Sequence, residues 1–243
     1  MVNVIKHSID FYMKNLELIF LFSVAFIIAF LIPVFASLPT FNDAGAIFIR
    51  TSSIFTNLNI VSTSVIIAAL FFSLLFLSFA IVAINILVRH TRTHTKIKEE
   101  VIKGIEHYTS RVFIVLLLYS AIIMLVNIAT YGYGISGVAT AVVGILLLPI
   151  FFYAPSAIVI DEHRVLPAIK SGVHFFFKRF DYVLVWLVIA ILALTIFDFI
   201  FIVLTGTTIS RYAMLIFNAF IILPFLVVLQ SQMYMKRFAI MRH

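Results

Sequence analysis

The chain has 243 residues, of which 64% are hydrophobic and only 11% charged, with a formal charge of +7. A soluble globular domain is about half apolar and about a quarter charged, so this composition excludes an ordinary water-soluble fold and points to a bilayer as the solvent. Cysteine is absent, which removes disulfides and thiolate chemistry, and the basic excess falls between the apolar runs, a distribution that suits membrane headgroups and not nucleic acid.

About 20 apolar residues in a helix cross a 30 Å hydrocarbon core. Taken in chain order, residues 1–17 form an entry segment that carries Lys6 and Lys14. The first apolar run, 18–36, is too long for a signal-peptide core and ends without a small-x-small pattern, so no cleavage is expected. An outer loop over 37–60 follows, and its amphipathic stretch 46–58 is expected to form a short surface helix. The second span covers 61–88, with Ala69, Ser73, Ala80 and Ala83 as small packing residues and Asn85 as an interhelical contact near its inner end.

Residues 89–111 are strongly basic and hold His90 and His94 four apart. That spacing can serve a metal, but Arg89, Arg92 and Lys96 repel a cation and no carboxylate is interleaved, so a solvated or phosphate-facing stripe is expected and no metal site. Residues 112–160 are free of charge for 49 positions and divide at the Gly-rich turn Thr130-Tyr131-Gly132-Tyr133-Gly134-Ile135-Ser136-Gly137 into spans over 112–130 and 138–160. A fifth span over 182–204 contains one acid, Asp198, and a sixth covers 212–235. Residues 236–243 form a basic tail. The expected fold class is all-α: one polytopic membrane domain, residues 1–243, with six transmembrane helices.

Lysine and arginine set the orientation. Residues 1–17, 89–111, 162–181 and 236–243 carry two, six, four and three, whereas the opposite side has only Arg50 and Arg211. By the positive-inside rule both termini are cytoplasmic, in the cell membrane.

The segments before spans one, three and five share an apolar spacing. Met1, Ile5, Ile9, Tyr12 and Leu16 are matched by Ile97, Val101, Ile105, Tyr108 and Val112, and by Val165, Ile169, Val173, Phe176 and Phe180. This register aligns Ser8, Gly104 and Gly172, and also Asn15, Arg111 and Arg179. Three repeat units follow, about 1–88, 97–160 and 165–235, each an interfacial amphipathic helix leading into a helical hairpin. Lys6, Lys14, Lys98, Lys103, Lys170, Lys178 and Arg179 are the candidate contacts to anionic lipid headgroups.

The run Tyr153-Ala154-Pro155-Ser156-Ala157-Ile158-Val159, followed by Ala168-Ile169-Lys170-Ser171-Gly172 and Phe177-Lys178-Arg179, resembles prokaryotic six-span membrane domains related to the one fused to glycerophosphodiester phosphodiesterases. The resemblance covers about 150–200 and, loosely, the six-span layout. It implies a membrane domain without the phosphodiesterase catalytic domain, and so no catalytic residues.

A carboxylate inside a span costs roughly 2.5–3.5 kcal/mol on insertion scales. Asp198, Asn127 and Asn218 each lie roughly 22–24 Å from the inner end of their spans. The expectation is a polar cluster of these three that binds a proton, an ion or a headgroup, the alternative being plain helix–helix hydrogen bonding. Pro149 and Pro224 interrupt spans four and six, as kinks or as broken helices that offer carbonyls to cargo. No hydrolase, kinase or nucleotide motif is present, and no cofactor is called for. The expected function is a non-catalytic lipid-contacting or scaffold module, with membrane lipids and a second copy or partner membrane subunit as its partners. The alternative is a transporter or channel, or a six-span permease subunit working with a separate ATPase.

Overall fold

The computed structural model describes residues 2–38, 40–43, 45–49, 60–93 and 97–236. Among these, six helical segments are long and apolar enough to cross a membrane: Leu16–Phe35, Thr63–His90, Gly104–Tyr131, Ser136–Ile160, Phe180–Gly206 and Ile209–Met235. The architecture is all-α and polytopic. In hydrocarbon every backbone amide must be satisfied within its own segment, which is why each long apolar run is helical.

The elements are α1 (Val2–Lys14), α2 (Leu16–Phe35), strands β1 (Thr40–Asp43) and β2 (Ala46–Ile49), α3 (Ile60–Thr93), α4 (Ile97–Tyr131), α5 (Ser136–Phe151), α6 (Ala154–Ile160), α7 (Val165–Lys178), α8 (Phe180–Phe217) and α9 (Leu223–Met235), with a π-helical turn at Asn218–Ile222 between the last two. The chain reverses between spans five and six at Gly206, whose φ of 75° and ψ of 169° break α8 in the left-handed half of backbone space.

The surface helix expected over 46–58 is corrected. Ala46–Ile49 is a strand, paired antiparallel with Thr40–Asp43 in the register Asp43↔Ala46 and Thr40↔Ile49. Gly45 turns the hairpin at φ 70°, a conformation that a continuing helix does not contain. Residues 50–59 lie outside the described residues.

The short helix α6 is the axle of the bundle. Tyr153, Ala154, Ala157, Ile158 and Val159 are fully buried, and α6 packs on α3, α4, α7 and α9. Rings of Phe152, Phe175 and Tyr234 surround Tyr153, with centroids 4.7, 4.9 and 5.7 Å away. By contrast, the apolar surfaces of spans three and five look mostly outward, with Leu125, Leu192, Phe199 and Val203 more than half exposed. Such surface is stable only in an apolar solvent or against a partner.

Two of the three entry segments are separate helices. The helix breaks at Asn15 between α1 and α2 and at Arg179 between α7 and α8, the two aligned positions of the spacing pattern. The third, Arg111, lies within the unbroken α4. Two entry segments pack on the span that closes the preceding hairpin, α7 on α6 and the start of α4 on α3, whereas α1 packs on α9, the closing span of the last hairpin.

The face that packs is displaced from the apolar stripe by one residue. In α1 it is Val4, Ser8, Phe11 and Tyr12, and in α7 it is Ala168, Gly172, Phe175 and Phe176, while Ile9, Leu166 and Phe177 are exposed. Small residues let backbones approach. A methyl group on Gly172 would lie 3.2 Å from the Ala154 nitrogen and 3.3 Å from the Tyr153 carbonyl carbon, and one on Gly104 would lie 2.9 Å from Ile86 Cδ1.

Candidate functional site

The expected cluster of Asp198, Asn127 and Asn218 is not joined by any hydrogen bond among them. Asn218 is buried and donates from Nδ2 to the Gly45 carbonyl at 2.9 Å, which ties span six to the β-hairpin. Asn127 lies on α4, whose main neighbours are α3, α5, α6 and α7, whereas Asp198 lies on α8, which packs chiefly on α9, its π-turn and α7. Both are partly exposed.

The basic candidates are spread around the opposite end. Lys6, Lys14, Lys170 and Lys178 are exposed. The side chains of Lys98 and Lys103, and all of His94, lie outside the described residues. Arg179 is engaged locally: its guanidinium stacks 4.1 Å over the Tyr182 ring and its Nε lies 3.6 Å from Asp181.

The dense polar chemistry lies where α3, α4, the α6–α7 loop and α9 meet. Arg89, at the last turn of span two, pairs with Glu162, donates to the Val159 carbonyl at 3.0 Å and to the Tyr108 hydroxyl at 3.3 Å. Glu162 follows the end of α6 at φ 56°, in the left-handed region that costs a side-chain-bearing residue about 1–2 kcal/mol. Arg111 donates to the His163 carbonyl at 3.3 Å and approaches His107 Nε2 at 2.7 Å. A guanidinium has no acceptor, so His107 Nε2 accepts and the imidazole proton sits on Nδ1.

Beside this lies a second constellation. Tyr234 donates to Asp161 Oδ2 at 2.6 Å, so the Ser171 hydroxyl, 2.9 Å from the Tyr234 oxygen, is the donor of that pair. His163 Nε2 lies 3.8 Å from the same carboxylate. The end of span six is thereby fastened to both the α6–α7 loop and α7. Deeper, Ser231 donates to Asn85 Oδ1 at 2.6 Å, the interhelical contact expected of Asn85.

Arg89, Tyr108, Glu162 and His90 also line a cavity of about 360 Å3 with His107 at its rim. Composition and spacing gave no sign of this convergence. Arg89 meets Tyr108 and Glu162 across 19 and 73 positions, and a pairing over such distances has no local period. The one local sign was a Glu in the acidic and basic turn after a buried helix, where glycine is the easier residue.

Carbonyls at two of the helix breaks accept side-chain donors from other helices. Pro224 has no N–H to give the Phe220 carbonyl, and Tyr12 donates to that oxygen at 2.9 Å. The Phe152 carbonyl, at the break between α5 and α6, accepts from Gln230 Nε2. Trp186 Nε1 donates to the Leu226 carbonyl at 2.8 Å.

No protein-family model matches the chain, and neither a curated protein nor a solved structure is significantly similar to it.

Proposed function

We propose that this chain is a non-catalytic, lipid-contacting module of the cell membrane, with both termini cytoplasmic and its Lys6, Lys14, Lys170 and Lys178 ammonium groups at the inner headgroups. The observation that carries the reading is the use of the helix breaks. A transporter of the broken-helix kind leaves unwound carbonyls for its cargo. Here the Phe220 and Phe152 carbonyls are taken by Tyr12 and Gln230, and the Ser231–Asn85 and Tyr234–Asp161 bonds join helix to helix and helix to loop. Exposed Ile9, Met13, Leu166 and Phe177 flank the lysines of α1 and α7. That suits helices whose stems lie in acyl chains while their ammonium groups reach the phosphates. The three-unit organisation belongs to the same reading: α7 and the start of α4 seat on the hairpin before them, and α1 seats on α9. The likeness of 153–179 to the six-span membrane domains falls on the α6–α7 corner, which begins with the buried run 153–159.

Native mass spectrometry of the full chain from nanodiscs of mixed phosphatidylglycerol and phosphatidylcholine tests this. Retained lipid should be enriched in the anionic species, and Lys170→Glu with Lys178→Glu should reduce the enrichment. Equal retention of both lipids in the native protein overturns the proposal. Orientation is tested by single cysteines placed at Lys14 and Tyr133, since the chain has no cysteine of its own. An impermeant maleimide should reach position 133 from outside and position 14 only from inside.

A further inference from the structure

We infer that the cavity at the inner end of span two binds a phosphate group, and that the Glu162 carboxylate is the internal anion which that phosphate displaces. The inference rests on the lipid-contacting reading only for the source of the phosphate, a lipid headgroup or the free ion. Three observations converge on it.

The first is the lining. Arg89, His90 and His107 meet around about 360 Å3, with Tyr108 on one wall and Glu162 as the carboxylate of the lining. That volume is within the range of small-molecule pockets. His90 is only 6% exposed and the Arg89 side chain 22%, so the Arg89 guanidinium stands in a wall largely removed from water, where its planar fork recognises phosphate best. Arg111 stands behind this wall, 5.9 Å above the Tyr108 ring and in contact with His107.

The second is Glu162 itself. Its backbone is held at φ 56°, yet its side chain is 57% exposed and reaches back to Arg89. An exposed acid held in a strained conformation against a half-buried cation is an exchangeable partner. Rotation about its side-chain bonds breaks the pair at Arg89 Nη2 with no movement of α6, while the Nη1 bonds to Val159 and Tyr108 keep the guanidinium in place. Strain at such a point is the kind that functional sites hold.

The third is position. Arg89 and His90 end the span Thr63–His90, at the level where lipid phosphates lie if that end is the inner one.

The test uses the full chain in uncharged detergent at constant ionic strength, with affinities read from thermal stabilisation. The probes are inorganic phosphate, dioctanoyl phosphatidic acid and dioctanoyl phosphatidylcholine. The native protein should be stabilised by phosphatidic acid and not by phosphatidylcholine. Glu162→Gln should tighten binding of the phosphate-bearing probe roughly threefold to fivefold, the size of one partly solvated charge pair. His90→Asn should weaken it, and Arg89→Gln should abolish it. Because Arg89 also links α3 to α6, that variant can fail to fold, and the gain in Glu162→Gln decides the matter without it. Stabilisation by inorganic phosphate, enhanced in Glu162→Gln, shows that the free ion suffices. A response confined to phosphatidic acid assigns the phosphate to a lipid. If neither probe stabilises the protein, or if Glu162→Gln and His90→Asn leave the affinity unchanged, the inference is overturned. Anionic enrichment in nanodiscs that ignores Glu162→Gln would leave the lipid module standing and remove this site alone.

Discussion

The Tyr12 hydroxyl donates to the Phe220 carbonyl, 208 positions away, at 2.9 Å. That carbonyl is the one whose α-helical donor Pro224 removes, and the Tyr12 ring stands edge-on to Phe225 with centroids 6.0 Å apart. Tyr12→Phe keeps the ring and leaves a buried acceptor unsatisfied, an expected loss of about 1–2 kcal/mol. In Pro224→Ala the helix supplies its own donor, so the two substitutions should be markedly non-additive in a double-mutant cycle of unfolding free energies. Additive losses would show that the hydroxyl does not serve this carbonyl.

Burial pushes the Tyr12 hydroxyl up to about 12 from its ordinary 10.0. The neutral phenol is the form the fold holds, and the folded value lies above the unfolded one. Its contribution is therefore complete below pH 10.0 and is lost as pH rises through about 12. Thermal stability scanned across that window should fall less steeply in Tyr12→Phe than in the native protein.

Gly172 and Gly104 occupy the same place in the repeated spacing and differ in what they press upon. The obstacle at Gly172 is the backbone of Tyr153 and Ala154, which cannot yield without moving α6, whereas at Gly104 it is the end of the Ile86 side chain. Gly172→Ala is expected to destabilise by about 1–3 kcal/mol, the range for overpacking. In Gly104→Ala a rotation of Ile86 is offset by the helix propensity of alanine, worth about 1 kcal/mol, so the change should be near neutral. Matched losses in a chemical-denaturation series would contradict this difference.

Asn218 holds the β-hairpin through Gly45, and a methyl group on Gly45 would lie 2.8 Å from Asn218 Cβ at a backbone φ of 70°. Asn218→Ala should release the hairpin without unfolding the bundle. Proteolysis between residues 37 and 60 should quicken several-fold while the melting temperature of the helical signal moves little. An unchanged cleavage rate would mean that the hairpin is held by other contacts.

Asp198 is partly exposed and no bond joins it to Asn127 or Asn218. Asp198→Asn removes a carboxylate whose placement in a span costs roughly 2.5–3.5 kcal/mol, and it breaks no bond to Asn127 or Asn218, so it is expected not to destabilise the bundle. It should also leave lipid retention in the nanodisc measurement unchanged. A large loss of either would restore the polar cluster as a functional element.

The six crossings were legible because a bilayer imposes length and apolarity on each, and those are properties of a contiguous run. The spacing aligned Asn15, Arg111 and Arg179 without distinguishing them, yet the chain breaks at the first and last and runs on through Arg111 in α4. The packed face was not. The most apolar stripe of α1 contains Ile9, which is exposed, while Ser8 is fully buried. Lipid is as apolar as leucine, so hydropathy does not choose which side turns inward, and close approach does. Likewise Asp161, Ser171 and Tyr234 carry no shared local period, and their bond arises only once α7 and α9 are brought together. The Gly45 turn was hidden because a four-residue strand next to a glycine also fits an amphipathic helical count.

The seating of α1 on α9 bears on how the chain assembles during synthesis. A ribosome delivers α1 before α9, so α1 waits through the intervening crossings without the partner it packs on in the folded chain. Only after the final crossing emerges does the Phe220 carbonyl become available, and the ring of helices shuts in one late step. Every defect upstream should then converge on a single arrested species with its first helix undocked, the state that quality-control proteases would meet.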